Sequence, residues 1–558
     1  GSNNVAIGQA SLTANTTASN NTAVGYASLT ANTTGTANVA VGHTSLDANT
    51  TGNYNVAVGG ETLSDVTTGS FNTGVGDGAG ANITTASDNS AFGGGSLLTN
   101  TTGASNTAIG KNALRANTTA SNNTAVGHSS LLANTTGAEN VALGDASLQT
   151  NTTASYNTAV GRASLLLNTT GANNTATGYK ALRANTTASN NTAVGYSALL
   201  ANTTGDQNVA VGANAGLSVT TGVQNTLIGY LAGDALTDAD YNVALGATAL
   251  GADTLGSRAV AIGRNALSAQ NFTSATDNYN VAVGFSAGAA VTTGTQNTLI
   301  GGLAGDAITT ASSNTALGYQ ALTTNTTGAN NVAVGANASW GNTTGANNIS
   351  VGVTALNANS TGASNVGIGH QALYTNSTAS SNTAVGYQSL YANTTGASNV
   401  AVAAGALDAN TTGSYNVAVG NNALTTATTA NSNTAIGESA MLSTTTGADS
   451  VAVGKNALYA NTTGANNVAV GVLSLDANTS GGSNVALGHN ALTANTTASN
   501  NTAVGKNALT VNTIGTSLVA IGTDALYSNT TAANNIAIGH QALYYNTTGS
   551  ENTAVGRS

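Results

Sequence analysis

A glycine recurs every 17 residues along this chain of 558 residues, and that period limits it to a stack of short units. The glycines run from Gly8 to Gly263, and then from Gly284 to Gly556 after one spacing of 21, with Ala403 replacing a single glycine. The sequence therefore contains 33 copies of one unit. Because so short a unit cannot bury a core alone, each copy must lie on its neighbours.

Each unit carries a strand pattern just before its glycine, which we number position 0. The stretch from Asn38 to Gly42 is short, rich in β-branched residues and alternating, and this predicts a β-strand from position 13 to the next glycine. A second, shorter strand is predicted from position 1 to the Leu at position 4, and Asn-Thr-Thr-Gly at positions 7 to 10 is typical of turns. The fold class predicted is all-β, a parallel β-solenoid or β-roll of 33 coils of 17 residues.

The domain organisation follows from the same count. We predict a single continuous solenoid over residues 3–558, with a four-residue insertion near 268–280 that bulges from one coil. Residues 1–2 are interpreted as an artificial boundary, and the natural protein is expected to continue, with its export signal, anchor and tip elsewhere.

Two positions change together, and this identifies a packed interior. In five coils Gly replaces the Leu at position 4, and in the same coils an aliphatic residue replaces the Asn at position 7. A core of fixed volume requires such an exchange, so both positions are predicted to face inward. The predicted core columns include Leu29, Leu46, Asn32, Ile83 and Val219. Asn32 is then expected to stack on its equivalents in a hydrogen-bonded ladder, which excludes a glycan from the Asn-Thr-Thr motif.

The strand has two faces, and their assignment decides the expected oligomer. We predict that Val41 and its equivalents join the core, which turns the Ala column outward as a continuous apolar stripe. Such a stripe indicates a subunit interface around a symmetry axis. The opposite assignment, with Ala inward and a mixed Val and Thr column outward, stays open and weakens that interface.

Composition excludes several classes of function. Lys and Arg number 10 against 20 Asp and Glu, for a net charge of −10, so we expect neither nucleic-acid binding nor membrane contact within this segment. Without Cys there is no disulfide and no thiolate metal site. Carboxylates are scattered and unpaired, so no enzyme activity, metal or cofactor is predicted.

Side chains at positions 1 and 5 are expected to be exposed. All five His occupy position 1, a column that also accepts Lys, Asp, Arg and Tyr, and we interpret them as surface residues: His43, His128, His370, His489 and His540. Tyr recurs at both positions, either as a contact surface or as packing against the neighbouring coil. The possible surface contacts are Tyr26, Tyr196, Tyr319, Tyr387, Tyr391 and Tyr459.

The strand motif at Asn4–Gly8, Asn38–Gly42 and Asn467–Gly471 resembles the Ser-Val-Ala-Ile-Gly signature of trimeric autotransporter adhesin heads. The stretch Leu29–Gly35 is similar to repeats that precede self-cleaving chaperone domains in bacterial surface proteins and phage tail fibres. The resemblance implies a left-handed β-roll, three chains in a fibre, and a place outside the cell, on its surface or on a virion. The period of 17 is longer than the coil of those adhesin heads.

Three functions are compatible with this reading. The first is a structural and adhesive fibre shaft, a homo-oligomer with a trimer favoured, whose ligand is a cell surface, a matrix or a glycan. The second is an ice-binding solenoid that uses the Thr rows at Thr33, Thr34, Thr50 and Thr51. The third is a tail-spike polysaccharide depolymerase, which requires clustered carboxylates.

Overall fold

A computed structural model describes residues 1–558 and shows an all-β chain without helices. The predicted parallel β-solenoid is confirmed, with one strand at positions 14 to 16 of each coil of roughly 17 residues. The chain divides into two compact units, Gly1–Tyr279, here the N-terminal unit, and Asn280–Ser558, the C-terminal unit.

The strands are short and evenly spaced. All contain three residues except β16 and β18, which contain two. Those of the N-terminal unit are β1 Val5–Ile7, β2 Thr22–Val24, β3 Val39–Val41, β4 Val56–Val58, β5 Thr73–Val75, β6 Ser90–Phe92, β7 Thr107–Ile109, β8 Thr124–Val126, β9 Val141–Leu143, β10 Thr158–Val160, β11 Thr175–Thr177, β12 Thr192–Val194, β13 Val209–Val211, β14 Thr226–Ile228, β15 Val243–Leu245, β16 Gly256–Ser257, β17 Val260–Ile262 and β18 Thr276–Asp277.

Those of the C-terminal unit are β19 Val281–Val283, β20 Thr298–Ile300, β21 Thr315–Leu317, β22 Val332–Val334, β23 Ile349–Val351, β24 Val366–Ile368, β25 Thr383–Val385, β26 Val400–Val402, β27 Val417–Val419, β28 Thr434–Ile436, β29 Val451–Val453, β30 Val468–Val470, β31 Val485–Leu487, β32 Thr502–Val504, β33 Val519–Ile521, β34 Ile536–Ile538 and β35 Thr553–Val555.

Within each unit, successive coils pair in parallel and in register. Ala159 in β10 lies opposite Ala176 in β11, one coil further along the chain. The backbone of a coil bonds to the coils on both sides: Thr22 N donates to Asn38 O at 2.8 Å, and Gly25 N donates to Ile7 O at 2.8 Å. Identical positions therefore form columns along each unit.

The glycine at position 0 has a backbone reason. Gly42 has φ +141°, and a Cβ added there would lie 2.1 Å from the carbonyl oxygen of Gly59 in the next coil. Both the dihedral and the close approach favour a residue without a side chain. Ala403 occupies this column at φ +112°.

The second predicted strand is wrong. Positions 1 to 6 form turns, in which Ala27 and Leu29 have φ of +54° and +53°. Ser28 and Leu29 are adjacent and both fully buried, whereas a strand sends consecutive side chains to opposite faces. Left-handed residues bring both side chains inward, while Leu29 N still bonds to Ser45 O of the next coil at 3.0 Å.

The interior is a narrow column of Leu, Ala, Ser and Asn. Leu29, Leu46, Asn32, Ile83 and Val219 are all fully buried, as expected from the exchange between positions 4 and 7. Positions 3, 10, 13 and 15 join them inside, and they hold Ser or Ala, Gly or Ala, Asn, and Ala in most coils.

The predicted facing of the strand is reversed. Ala40 is fully buried, whereas Val41 is only partly buried and lies on the outer face. The Ala stripe is therefore not an interface, and the alternative with Val and Thr outward holds. The reason is the Leu at position 4, which fills the space opposite the strand. Where Leu227 replaces the Ala at position 15, position 4 is Gly216, and a Cβ added there would lie 2.8 Å from Leu227 Cδ1.

The inserted residues extend one coil of the N-terminal unit. Residues 273–275 are exposed, and Phe272 beside them is buried. The carboxylate of buried Asp253 accepts hydrogen bonds from Gln270 Nε2 at 2.7 Å and from Phe272 N at 3.0 Å. Arg258 Nε lies 3.0 Å from Asp277 Oδ2. These contacts anchor both ends of the bulge.

Candidate interaction surfaces

Two ladders of Asn side chains line the interior, and hydrogen bonds within the fold engage most of their amide groups. At position 7, Asn49 Nδ2 donates to Asn32 Oδ1 at 2.9 Å, and Asn32 Nδ2 donates to Gly35 O at 3.0 Å. At position 13, Asn38 N donates to Asn21 Oδ1 at 2.9 Å, and Asn21 Nδ2 donates to Gly35 O at 2.9 Å. The ladder at position 13 was not foreseen. Since Asn32 is fully buried, the folded coil leaves no room for a glycan on it.

The outward side chains at positions 14 and 16 form a surface that we call the strand face. Position 16 is aliphatic or Phe in every coil except at Thr177, and position 14 holds Val, Thr or Ile, with Ser90 as the one Ser. No charged side chain occurs at either position. Ile109, Leu143 and Leu317 are 41%, 46% and 45% exposed. Each unit therefore presents a continuous uncharged stripe in which aliphatic side chains predominate.

The predicted contact tyrosines lie at the surface and also pack on neighbouring coils. Tyr319 and Tyr459 stack on no other ring. The other four stack on an aromatic ring one coil away, with ring centroids 5.2 to 5.7 Å apart: Tyr26 on His43, Tyr196 on Tyr179, Tyr387 on His370 and Tyr391 on Tyr374. Tyr26 remains 53% exposed in its stack, so one ring face packs while the rest stays available for contact.

Three successive coils of the N-terminal unit form an open cleft of about 290 Å³, which we call the cationic cleft. Asp145 Oδ2 lies 3.3 Å from Arg162 Nε, and its Oδ1 lies 3.3 Å from His128 Nδ1. Lys180 Nζ lies 4.9 Å from the ring centroid of Tyr179. The cleft is lined by Asp145, Ala146, Gln149, Arg162, Ala163, Leu166, Tyr179, Lys180 and Arg183.

The cationic cleft was missed by reading one column at a time. Its basic side chains stand at positions 1, 2 and 5 of two successive coils, so no single column contains the cluster. A signal was present, because five of the ten Lys and Arg of the chain fall within residues 111–183, where there are only two acidic residues.

The remaining titratable side chains are dispersed. No group of three or more His, Cys, Asp or Glu lies close enough to hold a metal ion. Asp47, Asp408 and Asp476 occupy position 5, where desolvation by the surrounding coil raises the pKa of each carboxyl group. These carboxyl groups stand in separate coils, so they form no acid and base pair.

The chain contains no helix with the length and apolar character needed to span a bilayer. A comparison with protein-family models finds no match, and a comparison with curated proteins finds none either. What the chain does must therefore be inferred from these surfaces.

Proposed function

We propose that this chain is a structural and adhesive shaft outside the cell, on a cell surface or a virion, and that copies of it associate through the strand face. The observation that carries the proposal is the uncharged, mainly aliphatic stripe at positions 14 and 16, which runs along each unit. The core of each unit is complete without a partner, so this stripe serves contact with something else. We assign no enzymatic role to the chain.

A second copy is the partner that fits the strand face best. Another copy has the same coil spacing, so its side chains stay in step with the grooves between coils along a whole unit. A partner with another repeat loses that register after a few coils. The stripe carries no charge, and thus the net charge of −10 creates no repulsion at the contact itself.

The available area is sufficient for a stable complex. Even at roughly 50 Å² of buried surface per coil, about sixteen coils of one unit bury about 800 Å² per partner, which is the size of a standard interface. Weak contacts repeated from coil to coil add up in the same way when the shaft attaches to a matrix or a glycan surface. A trimer is favoured by the resemblance of Asn38–Gly42 to adhesin-head repeats.

The test is the mass in solution, measured by light scattering. One chain has a mass of 53.8 kDa, and we expect about three times that value. Replacing Ile109, Val126 and Leu143 by Lys places three charges on the strand face and is expected to reduce the mass to that of one chain. The control replaces the exposed Thr102, Thr119 and Thr136 of the same three coils by Lys and should keep the oligomer. A wild-type mass of one chain would contradict the proposal.

Ice binding is a second candidate, and a different row of Thr supports it. The hydroxyl of Thr33 donates to Thr50 O at 3.0 Å, so the row at position 8 is occupied within the fold. The strand face, however, presents Thr158, Thr175 and Thr192 in register on adjacent strands. A regular array of hydroxyl and aliphatic groups can hold ordered water. Thermal hysteresis equal to that of an inert protein of the same mass would remove this candidate.

A further inference from the structure

We infer that the cationic cleft binds acidic saccharides, whose carboxylate or sulfate groups pair with Arg162, Lys180 and Arg183 while a sugar ring lies against Tyr179. The inference deepens the proposed function, since it rests on an adhesive role and names the ligand class of one local site. Unlike the strand face, this site occurs once in the described chain.

The first argument is the local charge. The whole chain carries −10, yet residues 111–183 carry five basic and two acidic side chains and hence a net charge of +3. Arg162, Lys180 and Arg183 come from two successive coils, so their charged groups converge on one opening. A cluster of one sign attracts ligands of the opposite sign, and here it does so against the field of the rest of the chain.

The second argument is that the protein neutralises only part of this positive charge. Asp145 is the one carboxylate in the cleft, and it is shared between Arg162 and His128 at 3.3 Å each. Arg183 and Lys180 form no ion pair. Their donors therefore remain available, and Arg presents a planar fork that matches a carboxylate or sulfate.

The third argument is the aromatic wall. Tyr179 stacks on Tyr196 at 5.4 Å, and Lys180 Nζ sits 4.9 Å from the centroid of the same ring. These contacts hold the ring at the edge of the opening, where the apolar face of a sugar can pack against it. Gln149 adds an amide that can bond sugar hydroxyl groups.

A saccharide fits better than a nucleic acid. The cleft spans three coils, about 10 to 15 Å along the unit at the usual strand spacing. On the C-terminal side of the cleft, a nucleic acid duplex longer than the cleft would run along coils in which acidic residues dominate, such as residues 206–253, which contain five Asp and no Lys or Arg. Short oligonucleotides serve as a comparison ligand, and tighter binding of these than of either saccharide would overturn the assignment.

The experiment titrates the full chain by calorimetry with four probes: a heparin oligosaccharide for sulfate, an oligogalacturonate for carboxylate, a dextran oligosaccharide as the neutral sugar, and a short oligonucleotide as the nucleic acid. We expect binding of at least one acidic probe, weakening as salt is raised, and no binding of dextran. The relative affinity of the two acidic probes distinguishes sulfate from carboxylate. Absence of binding by both acidic probes, or equal binding of dextran, overturns the inference.

Variants localise the site. Replacing Arg162, Lys180 and Arg183 together by Gln is expected to weaken binding about tenfold or more. The matched control replaces Arg264, Lys455 and Lys506 by Gln, which changes the net charge equally and should retain wild-type affinity. Equal losses in both variants would indicate a general charge effect and contradict a site in the cleft.

The aromatic wall and the proposed shaft have separate readouts. Tyr179→Ala should weaken binding several-fold, whereas Tyr179→Phe should keep it, because stacking needs the ring and not the hydroxyl. Light scattering on the triple Gln variant should give the wild-type mass. Loss of saccharide binding with an unchanged oligomer bears on the cleft alone, and a single-chain mass with intact binding bears on the proposed association alone.

Discussion

The coils that begin at Gly127 and Gly76 fill the same interior in two different ways. The first has Leu131 at position 4 with φ +52°, and Asn134 at position 7. Asn134 Nδ2 donates to Gly137 O at 2.8 Å and to Asn117 Oδ1 at 2.9 Å. Its core is therefore part aliphatic and part hydrogen-bonded ladder.

The second coil exchanges both residues, with Gly80 at position 4 and Ile83 at position 7. Gly80 keeps the left-handed backbone with φ +63°, and a Cβ added there would lie 2.8 Å from Leu63 Cδ2 and 3.0 Å from Ile83 Cδ1. In the following coil Asn100 Nδ2 keeps its bond to Gly103 O at 2.8 Å without an Asn on the preceding coil. The comparison teaches that interior volume and backbone conformation are conserved from coil to coil, whereas the Asn ladder can be interrupted.

The largest effect is expected from placing an aliphatic residue at position 7 of a coil that keeps Leu at position 4. Asn134→Ile adds apolar bulk against Leu131 and removes the acceptor of Asn151 Nδ2, now 2.9 Å from Asn134 Oδ1. Overpacking and unpaired buried amides together should lower the free energy of unfolding by about 2–5 kcal/mol. The measurement is the urea unfolding midpoint followed by circular dichroism. A midpoint equal to that of wild type would mean that the interior is not closely packed.

The second largest effect is the rescue of that variant by the natural exchange. Adding Leu131→Gly to Asn134→Ile reproduces the pattern of Gly80 and Ile83, so the excess volume disappears. Leu131→Gly alone leaves a cavity and should also destabilise. The double-mutant cycle is expected to give a favourable coupling of about 1–3 kcal/mol. Additive losses would show that the paired exchange in the sequence has no packing origin.

A smaller difference is expected between the middle and the end of a ladder. Asn151 Oδ1 accepts a hydrogen bond from Asn168 Nδ2 of the next coil at 3.0 Å. In the coil after Asn202 the equivalent residue is Val219, so the Oδ1 of Asn202 is buried without a donor. Both side chains make two bonds through Nδ2. Replacement of Asn151 by Ala should therefore cost about 1 kcal/mol more than the same replacement of Asn202. Matching unfolding midpoints for the two variants would show that the ladder bond between coils adds nothing to stability.

The smallest effect concerns position 5, which lies outside the exchange. Desolvation raises the pKa of Asp408, whose coil has Leu at position 4 and Asn at position 7. It also raises the pKa of Asp234, whose coil has Gly at position 4 and Leu at position 7. The folded chain therefore holds the proton more tightly than the unfolded chain, so stability is lost as pH rises from the unfolded pKa, about 3.9, through the raised value.

Replacing either Asp by Asn should remove that loss, so each variant becomes slightly more stable than wild type above the raised pKa and equal to it at lower pH. The measurement is the unfolding midpoint as a function of pH, and the exposed Asp449→Asn serves as the control. A gain in stability for Asp408→Asn without one for Asp234→Asn would show that the residues at positions 4 and 7 also determine the environment of position 5.

The sequence period and the paired exchange were sufficient to predict the solenoid and the inward columns at positions 4 and 7. The strand facing was not predicted, because Ala and Val are both apolar and the choice depends on the space left by a Leu at positive φ. A further exchange carried that information: Leu227 and Leu299 replace the Ala at position 15 in coils that have Gly at position 4. The second predicted strand was wrong because a bulky residue at positive φ is uncommon, so the pattern from position 1 to position 4 was interpreted as extended.

The interaction surfaces were less accessible to sequence reasoning. The strand face depends on which side of the strand is buried. Because the Ala column was predicted to face outward, the interface was expected at side chains that are buried in the structure. The cationic cleft depends on Arg162 from one coil meeting Lys180 and Arg183 from the next, which is a property of the stack and not of any single unit.

The in-register columns also affect how such a gene can change in length. When one whole coil is removed, the two coils that become neighbours have matching residues in the same ladder columns. Recombination between repeats can therefore shorten or lengthen the protein while the ladder contacts between adjacent coils stay the same. The run Val219–Gly229 returns almost unchanged as Val291–Gly301, as expected from such an event. A deletion that is not a whole number of coils shifts every later column by part of a turn and is expected to be selected against.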